Sequence, residues 1–284
     1  MAVLLRGAET AGALSEALRR RTEELKARGS VPCLAIVRVG QREDDLAYER
    51  GAVKRCEAIG IAARRITFPG DVAQQTLIAA LRDLGADGTV HGILLFRPLP
   101  PQLDDAAVRR AIVPEKDVDG VTDASMAALY AGTGQGFPPC TAEACVELLK
   151  HGGVSLAGRR VTVVGRSLVI GKPVALLLLA ENATVTVCHS KSRDLPALCR
   201  EADILIVAAG KAGLVGAESV RSGQTVVDVG IHTDENGRLC GDVRFSEAES
   251  VAAAITPVPG GVGAVTSTIL AAHVVRAAEA LTAR

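Results

Sequence analysis

The amino-acid sequence predicts an α/β protein of two domains, each built on a parallel sheet. Short apolar runs rich in β-branched residues alternate with segments of helical periodicity, an order typical of parallel strands joined by helices. The length of 284 residues is enough for two domains of about 100–150 residues each. Because the alternation occurs in both halves of the chain, we place the first domain at residues 1–140 and the second at 141–265.

The first domain is predicted to alternate between strands and helices. CLAIVRVG is an apolar, β-branched run that ends at Gly40, whereas DDLAYERGAVKRCEAIG places Leu46, Val53 and Cys56 at helical intervals and ends in a glycine, a frequent residue after a helix. The predicted elements are strand 33–40, helix 44–60, strand 62–68, helix 72–85, strand 91–96 and a short helix at 104–112. The loop PEKDVDGVTD follows them and is rich in turn-forming residues.

The second domain shows the same alternation with clearer signals. Helix TAEACVELLKHGG precedes strand RVTVVG, helix KPVALLLLAEN, strand ATVTVCH, helix DLPALCREA and strands DILIVAAG and TVVDVGI. This succession predicts a Rossmann-like, doubly wound sheet, the usual frame for a dinucleotide. A Pro/Gly loop at 255–266 then leads to a final alanine-rich helix within 266–284, which on this pattern fits either domain.

Composition excludes several classes of function. Lys plus Arg and Asp plus Glu number 32 each, and this balance argues against nucleic acid or an anionic membrane as a partner. The seven cysteines form no C-x-x-C pair, which favours reduced thiols over disulfides or a metal site. The N-terminus lacks the apolar core of a signal peptide, and Lys172 and Pro173 interrupt the longest apolar stretch, so we expect a cytoplasmic protein.

The stretch VTVVGRSLVIGKPV (161–174) predicts a strand, a glycine turn and the start of a helix. Backbone N–H groups at such a helix start bind phosphate, and Gly165 and Gly171 permit the sharp turn and a close approach of a pyrophosphate. The two glycines are six residues apart and do not form G-x-G-x-x-G. A plain strand-to-helix corner therefore remains the alternative interpretation.

The end of the following strand indicates which dinucleotide is bound. NAD-binding units often carry an acidic residue there, which binds the ribose 2′-hydroxyl. Here Ser190, Lys191 and Arg193 occupy this region before the first acid. Hydroxyl and cationic donors suit a 2′-phosphate, so NADP is preferred over NAD, and Arg166 is a second candidate for the same phosphate. A solvated basic loop is the alternative.

Six segments together resemble one family. VVGRSLVIGKP, ATVTVCHSKS, VVDVGI and ITPVPGGVG resemble the signature segments of the methylenetetrahydrofolate dehydrogenase/cyclohydrolases, and PEKDVDG and YERGAVKRCEAIGI resemble that family's folate-side segments. The resemblance runs in order over nearly the whole chain. It implies an N-terminal folate domain and an NADP domain with a cleft between them, a final helix that packs back on the folate domain, and a homodimer formed through the nucleotide domains.

The resemblance also implies the site residues. Tyr48 and Asp119 are the expected catalytic and substrate-binding pair, and the substrates are tetrahydrofolate one-carbon derivatives. Without the family, these two residues would be interpreted as a helix-surface tyrosine and a loop-capping aspartate. The loop residues expected beside the folate are Pro259, Gly260 and Gly261, and those expected at the nucleotide are Gly165, Arg166, Ser167, Gly171, Ser190 and Ile231.

The sequence departs from the family at two positions that matter for hydrolysis. Oxidising the methylene bridge moves a hydride and needs only alignment of two rings, whereas hydrolysing the methenyl product moves protons and needs an acid/base group. Most members carry Lys four residues after the Tyr and a partner Gln after the third strand; here these are Ala52 and Phe96. We therefore expect NADP-dependent dehydrogenase activity with weak or absent cyclohydrolase activity.

No other residue is an evident replacement for the missing amine. Lys54 lies six residues after Tyr48 and points away from it on a helix, and Arg97 has too high a pKa to move protons. Arg50 lies on the wrong side of the helix and His91 is expected to be structural. Ala264 and Val265 also differ from the family's usual Pro and Met, and these two changes have no assigned consequence.

Three alternatives remain open at this stage. The first is a fully bifunctional dehydrogenase/cyclohydrolase that makes 10-formyltetrahydrofolate. The second is a non-catalytic NADP-binding scaffold that has kept the fold. The third is another NADP oxidoreductase of two domains, such as one acting on a small hydroxy acid, against which only the resemblance of KDVDG and PVPGGVG argues.

Overall fold

The computed structural model describes residues 1–282. The chain forms two compact units that interleave in sequence. One contains Met1–Gly12 and Thr141–Thr266, and the other contains Ala13–Cys140 and the chain from Ser267 onward. We call them the six-stranded unit and the three-stranded unit, after their main sheets.

The strands and helices of the described residues are numbered in chain order. The strands are β1 (Val3–Leu4), β2 (Cys33–Val39), β3 (Ala62–Phe68), β4 (Gly92–Leu95), β5 (Arg160–Val164), β6 (Thr184–Cys188), β7 (Ile204–Val207), β8 (Thr225–Asp228), β9 (His232–Thr233), β10 (Leu239–Cys240) and β11 (Ala254–Ile255). The helices are α1 (Gly7–Ala27), α2 (Glu43–Ile59), α3 (Gln74–Ala86), α4 (Asp105–Arg109), α5 (Asp123–Ala131), α6 (Cys140–His151), α7 (Gly171–Ala180), α8 (Leu195–Arg200), α9 (Phe245–Glu249) and α10 (Val262–Thr282).

The three-stranded unit has a parallel sheet in the order β3-β2-β4. The central strand β2 is buried along its length after Cys33, which explains why its sequence is apolar at every position except Arg38 rather than alternating. Helix α3 covers the sheet with Leu77 and Leu81, neither of which is exposed to solvent. This core fixes the carboxyl ends of β2 and β4, where the candidate site lies.

The six-stranded unit has a fully parallel sheet in the order β1-β11-β8-β7-β5-β6. From β5 the chain passes to β6 on one side, then returns to β7 on the other side. The crevice between β5 and β7 is therefore the point where the strand order reverses, which is where doubly wound sheets bind nucleotides. Strands β9 and β10 form a separate antiparallel pair.

The predicted α/β fold class is confirmed, and β3 has the predicted bounds. Helix α10 begins at Val262, four residues before the predicted start, so the Pro/Gly loop is shorter than expected. The last two residues of the predicted helix lie outside the described range. No helix or strand is predicted from the sequence at α1, α5, α9, β1, β11 or the β9–β10 pair.

Helix α10 is long and apolar enough to cross a membrane by length and composition. However, 61% of its most apolar window is buried against the rest of the protein. It is therefore built as a core helix, with Val274 and Val275 fully enclosed.

Candidate active site

Tyr48 lies on α2 with its ring against Phe96, the residue that follows β4. The two ring centroids are 5.8 Å apart and the planes meet at 87°, an edge-to-face contact favoured by the charge distribution of aromatic rings. Tyr48 is 38% exposed, whereas Phe96 is 8% exposed. Phe96 thus packs against one side of the tyrosine ring, and another part of that ring remains accessible to a ligand.

A buried ion pair anchors the helix turn that carries Tyr48. Glu49 on α2 accepts a hydrogen bond from Arg38 on β2, with 2.9 Å between Oε2 and Nε, and both side chains are 9% exposed. Arg38 also donates to the backbone carbonyl of Gly40. A buried charge is tolerated only when it is paired in this way, and the pair ties α2 to the central strand.

Asp119 reaches the same region from the loop after β4. A side chain at Gly92 would lie 2.7 Å from Val118, so glycine is required for the loop to pack this close to the strand. Asp117 stabilises the loop by accepting hydrogen bonds from the backbone of Val121 and Thr122, at 3.0 and 2.8 Å. The first aspartate of KDVDG is therefore structural, and the second is the one available for chemistry.

The structure brings Tyr48 and Asp119 together electrostatically. Burial raises the pKa of Tyr48 well above its usual value, and Asp119 and Cys140 raise it further, so the phenol keeps its proton. Burial raises the pKa of Asp119 to about 6, against a hydrogen bond from Cys140 that lowers it. Tyr48 therefore stays protonated and can donate a hydrogen bond, whereas Asp119, with a pKa of about 6, can change its protonation state near neutral pH.

Ala52 and Phe96, where the resemblance led us to expect an amine and an amide, are both buried and apolar. Ala52 is 2% exposed. The three lysines of this unit within the described range lie elsewhere: Lys26 is ion-paired within α1, Lys54 is exposed, and Lys116 donates to two backbone carbonyls. None of the three is placed to replace a lysine at residue 52.

The remaining candidates for that role are also engaged or exposed. Arg97 makes a bidentate pair with Asp105, with both N–O distances 2.6 Å. His91 is buried, accepts a hydrogen bond from the backbone of Cys33, and has its pKa lowered by burial. Arg50 is exposed on α2. His91 therefore has the structural role that the sequence indicated.

In the six-stranded unit, the glycine turn follows β5 at the edge of the β5–β7 crevice. Gly165 has φ of 133°, and a side chain there would lie 2.1 Å from the carbonyl oxygen of Ala208 after β7. A side chain at Gly171 would lie 2.3 Å from the carbonyl oxygen of Gly165. Both positions therefore require glycine, and the start of α7 lies next to the end of β5.

Ser167 shapes the inside of this turn. Its hydroxyl accepts hydrogen bonds from the backbone N–H groups of Ile170 and Gly171, at 3.1 and 3.4 Å. Arg166 and Ser167 are both exposed. An anion at this helix start would meet the exposed guanidinium and the α7 dipole.

The loop after β6 carries the residues proposed for the 2′-phosphate. Ser190, Lys191 and Arg193 are all exposed. His189 holds the loop in shape: its backbone N–H donates to Ser192 Oγ at 2.9 Å, and its Nδ1 accepts from the backbone of Lys191 at 3.1 Å. A hydroxyl and two cations thus project from the carboxyl end of the strand next to β5.

Ile231 lies in one pocket with the predicted loop residues Pro259, Gly260 and Gly261. The pocket has a volume of about 320 Å³ and is also lined by Ala264. Gly260 has φ of 101° and its carbonyl accepts a hydrogen bond from Gly7 at 2.8 Å. The predicted residues at the end of β8 and in the Pro/Gly loop are therefore neighbours.

Two buried aspartates shape this edge of the sheet and were missed by the sequence analysis. Asp228 accepts hydrogen bonds from three backbone N–H groups, yet burial still raises its pKa to about 6. Asp242 accepts from the backbone of 209–211, at 2.6 to 2.9 Å, and contacts His232 Nε2 at 2.7 Å. Among residues 1–282, no group of three or more His, Cys, Asp or Glu side chains is arranged to hold a metal ion.

Comparison with known proteins places both halves of the chain in one family. Residues 5–119 match the model of the tetrahydrofolate dehydrogenase/cyclohydrolase catalytic domain, and residues 139–282 match that of the same family's NAD(P)-binding domain. The bifunctional protein FolD of Carboxydothermus hydrogenoformans is 49% identical over 283 residues, which is 99% of each chain.

Solved structures agree with this similarity. The bifunctional FolD dehydrogenase/cyclohydrolase of Campylobacter jejuni superposes with a TM-score of 0.96 at 37% identity, over 99% of each chain. The Trypanosoma brucei FolD complex with NADP and an inhibitor superposes with a TM-score of 0.92 at 37% identity, over 98% of each chain.

Proposed function

Because the chain belongs to the tetrahydrofolate dehydrogenase/cyclohydrolase family, we propose that it oxidises 5,10-methylenetetrahydrofolate to 5,10-methenyltetrahydrofolate with NADP⁺. The observation that carries the proposal is the survival of the Tyr48–Asp119 pair beside a packed aromatic support. We further propose that residues 1–140, with the chain from 266 onward, form the folate domain and that 141–265 form the NADP domain. The expected location is the cytoplasm.

Tyr48 and Asp119, the polar side chains of the three-stranded unit's site, suit a pterin ring. Ionised Asp119 accepts hydrogen bonds from ring N–H groups, and the protonated Tyr48 hydroxyl donates one or stacks through its exposed ring face. Neither side chain has to gain or lose a proton when a hydride leaves the one-carbon bridge. Their task is to hold the folate in one orientation, which is the main requirement of hydride transfer.

The residues at the carboxyl ends of β5 and β6 suit NADP. The exposed Arg166 guanidinium at the glycine turn and the dipole of α7 suit a pyrophosphate, and Ser190, Lys191 and Arg193 present a hydroxyl and two cations for a 2′-phosphate. When bound, NADP⁺ supplies the hydride acceptor. Support for this choice also comes from the NADP in the related Trypanosoma brucei complex.

For hydrolysis of the methenyl product, we propose a slow reaction. Ala52 is enclosed and Phe96 occupies the amide position with a ring packed on Tyr48. Loss of general acid/base assistance typically costs about 10²–10⁴ in rate. Since the methenyl cation is itself electrophilic, some hydrolysis remains.

Full bifunctionality is the second candidate, and the names of the relatives fit it better than they fit a loss of hydrolysis. One feature of the site also favours it. Asp119 titrates at about 6, close to the pH at which a general base works best. In this alternative, Asp119 moves the proton that a lysine moves elsewhere.

One assay tests the dehydrogenase proposal. Purified protein is mixed with 5,10-methylenetetrahydrofolate and NADP⁺, and NADPH is followed by absorbance, with NAD⁺ in a parallel cuvette. Sustained NADPH formation that exceeds NADH formation is expected. Tight NADP⁺ binding without any reduction would instead identify a non-catalytic scaffold.

A further inference from the structure

The hairpin formed by β9 and β10 presents two apolar side chains at the candidate pocket. Ile231, directly before β9, and Leu239, on β10, are both exposed, and both line the cavity of about 320 Å³. Each strand has two residues, and within residues 1–282 the two strands pair only with each other. A two-stranded hairpin alone is at best marginally stable in water, so the position of these side chains depends on contacts outside the hairpin.

Asp242, which follows the hairpin, accepts four hydrogen bonds. Its Oδ2 accepts from the backbone N–H groups of Ala209 and Gly210, at 2.6 and 2.9 Å. Its Oδ1 accepts from the backbone N–H group of Lys211 at 2.8 Å and lies 2.7 Å from Nε2 of His232. Because a carboxylate only accepts, Nε2 carries the hydrogen and donates it. The carboxylate of Asp242 therefore joins the loop after β7 to the first residue of the hairpin.

The backbone of Asp242 is held in turn by Asp228, the last residue of β8. Both aspartates are buried. Asp228 accepts hydrogen bonds from the backbone N–H groups of Asp242 and Gly230, both at 3.0 Å. A side chain at Gly230 would lie 2.4 Å from the backbone nitrogen of Asp242, so the two segments are in close contact. Ile231 is therefore flanked by two tethered residues, Gly230 before it and His232 after it.

The order of the strands indicates which half of NADP these segments would contact. The residues expected at the 2′-phosphate follow β6, the glycine turn follows β5, the exposed loop 209–211 follows β7, and Ile231 lies just after β8. Neighbouring strands lie about 4.8 Å apart, so β6 and β8 are separated by about 14 Å, a span that one dinucleotide crosses in such a sheet. With its phosphates at β6 and β5, the nucleotide would place its nicotinamide half at β7 and β8.

We propose that His232 and Asp242 are positioning residues for the nicotinamide half of NADP. The hydrogen bond between them holds the hairpin and, with it, the side chain of Ile231. The three backbone hydrogen bonds to Asp242 hold the loop 209–211 beside the same half of the nucleotide. Both residues act through the segments that they tether. The inference rests on the proposed function, because it requires NADP to occupy the crevice between β5 and β7.

The test compares two ligands that differ in the nicotinamide half. NADP⁺ contains it, whereas adenosine 2′,5′-bisphosphate has the 2′-phosphate and no nicotinamide. In calorimetric titrations of the full chain, His232→Leu is expected to bind NADP⁺ about 10-fold or more weakly than the parent protein, the effect of losing one hydrogen bond to a charged group. Its affinity for the bisphosphate should be unchanged. A variant that is only less well folded would bind both ligands more weakly.

Further variants separate the hydrogen bond from the rest of the hairpin. His232→Gln keeps an N–H donor about as far from the backbone as Nε2 and should bind NADP⁺ like the parent protein. Thr233→Ala changes an exposed neighbour on β9 and should leave both affinities unchanged. Thermal unfolding confirms that each variant is folded. If His232→Leu does not fold, Asp242→Asn, which loses one accepting oxygen, decides the same comparison of the two ligands.

Hydrogen–deuterium exchange gives a readout that needs no ligand. In His232→Leu the backbone of residues 231–240 should exchange faster than in the parent protein, whereas residues 209–211 keep their bonds to Asp242 and should exchange at the parent rate. In Asp242→Asn both segments should exchange faster, because an amide group that only donates replaces one accepting oxygen.

The outcomes distinguish this inference from the proposed function. Parent-like NADP⁺ affinity in His232→Leu overturns the inference, and so does an equal loss of affinity for the bisphosphate or a failure of His232→Gln to restore binding. In steady-state assays of His232→Leu, the KM for NADP⁺ should rise and the KM for 5,10-methylenetetrahydrofolate should not. If the parent protein binds NADP⁺ but does not reduce it, the proposed function fails, and the titrations still decide the role of His232.

Discussion

The ring of Phe96 meets the ring of Tyr48 edge-on, with centroids 5.8 Å apart. From the family resemblance we expected an amide that assists hydrolysis at the position of Phe96 and an amine at the position of Ala52. The side of Tyr48 that faces Phe96 is therefore apolar, and neither Phe96 nor Ala52 can donate or accept a proton. Hydride transfer needs no such group, so the two reactions respond differently to the same pair of residues.

Restoring both side chains should raise the hydrolytic rate. In Ala52→Lys with Phe96→Gln we expect methenyltetrahydrofolate hydrolysis to increase by about 10²-fold or more, because an amine returns one helical turn from Tyr48. The decay of methenyl absorbance without nucleotide measures it. Ala52→Met with Phe96→Gln is the matched control, with similar length and no amine; an equal increase there would attribute the gain to the removal of Phe96.

The loop after β6 should determine the choice between NADP and NAD. Lys191→Ala with Arg193→Ala removes two exposed cations, and we expect the KM for NADP⁺ to rise about 10-fold or more, the effect of losing charged hydrogen bonds. The KM for NAD⁺ should change little, because NAD lacks the 2′-phosphate. Equal rises for both nucleotides would place these side chains at another part of the ligand.

The glycine turn should tolerate no side chain. In Gly171→Ala the new methyl group would lie 2.3 Å from the carbonyl oxygen of Gly165, so the turn must open and NADP⁺ binding should be lost. Calorimetric titration with NADP⁺ measures the affinity. Gly12→Ala on α1 meets nothing within 4 Å and should bind normally; normal binding by Gly171→Ala would exclude this turn as the phosphate site.

The expected homodimer is tested at β6, which pairs only with β5 among the described strands. Val187 on this edge strand is 40% exposed, and Leu179 on the preceding helix is 53% exposed, so an apolar sheet edge is open to a second copy. Val187→Lys should shift the protein from dimer to monomer in sedimentation velocity. Ala62→Lys, at an exposed position on β3, the edge strand of the other sheet, is the control. Unchanged dimer content in Val187→Lys would place the interface elsewhere.

Much of the fold could be predicted because its main elements carry local signals. Strand β2 is apolar except at Arg38 because both its faces are buried, and α2 carries buried apolar residues at helical intervals and ends at Gly60 in the left-handed region. In contrast, β1 and β11 contain two residues each and pair across the length of the chain, with Val3 opposite Ala254. Such pairing leaves no local pattern. Helix α1 was overlooked although Leu18 and Leu25 lie one heptad apart and are buried.

In the candidate site, individual residues could be predicted from the sequence, but the contacts between them could not. Tyr48 and Asp119 followed from the motifs that contain them, but the Tyr48–Phe96 contact joins residues far apart in sequence. The contact between Cys140 and His273 spans 133 positions, and neither residue belongs to a recognisable motif. Contacts of this kind depend on how the helices pack, which a single sequence does not specify.

The most direct test of the account compares the two reactions on one preparation. Oxidation of 5,10-methylenetetrahydrofolate by NADP⁺ and hydrolysis of 5,10-methenyltetrahydrofolate are measured at one pH, with the spontaneous hydrolysis subtracted. The expected result is enzymatic hydrolysis that is slower than oxidation by about 10²-fold or more. Comparable rates would contradict it and establish a bifunctional enzyme in which another group, with Asp119 as the first candidate, moves the proton.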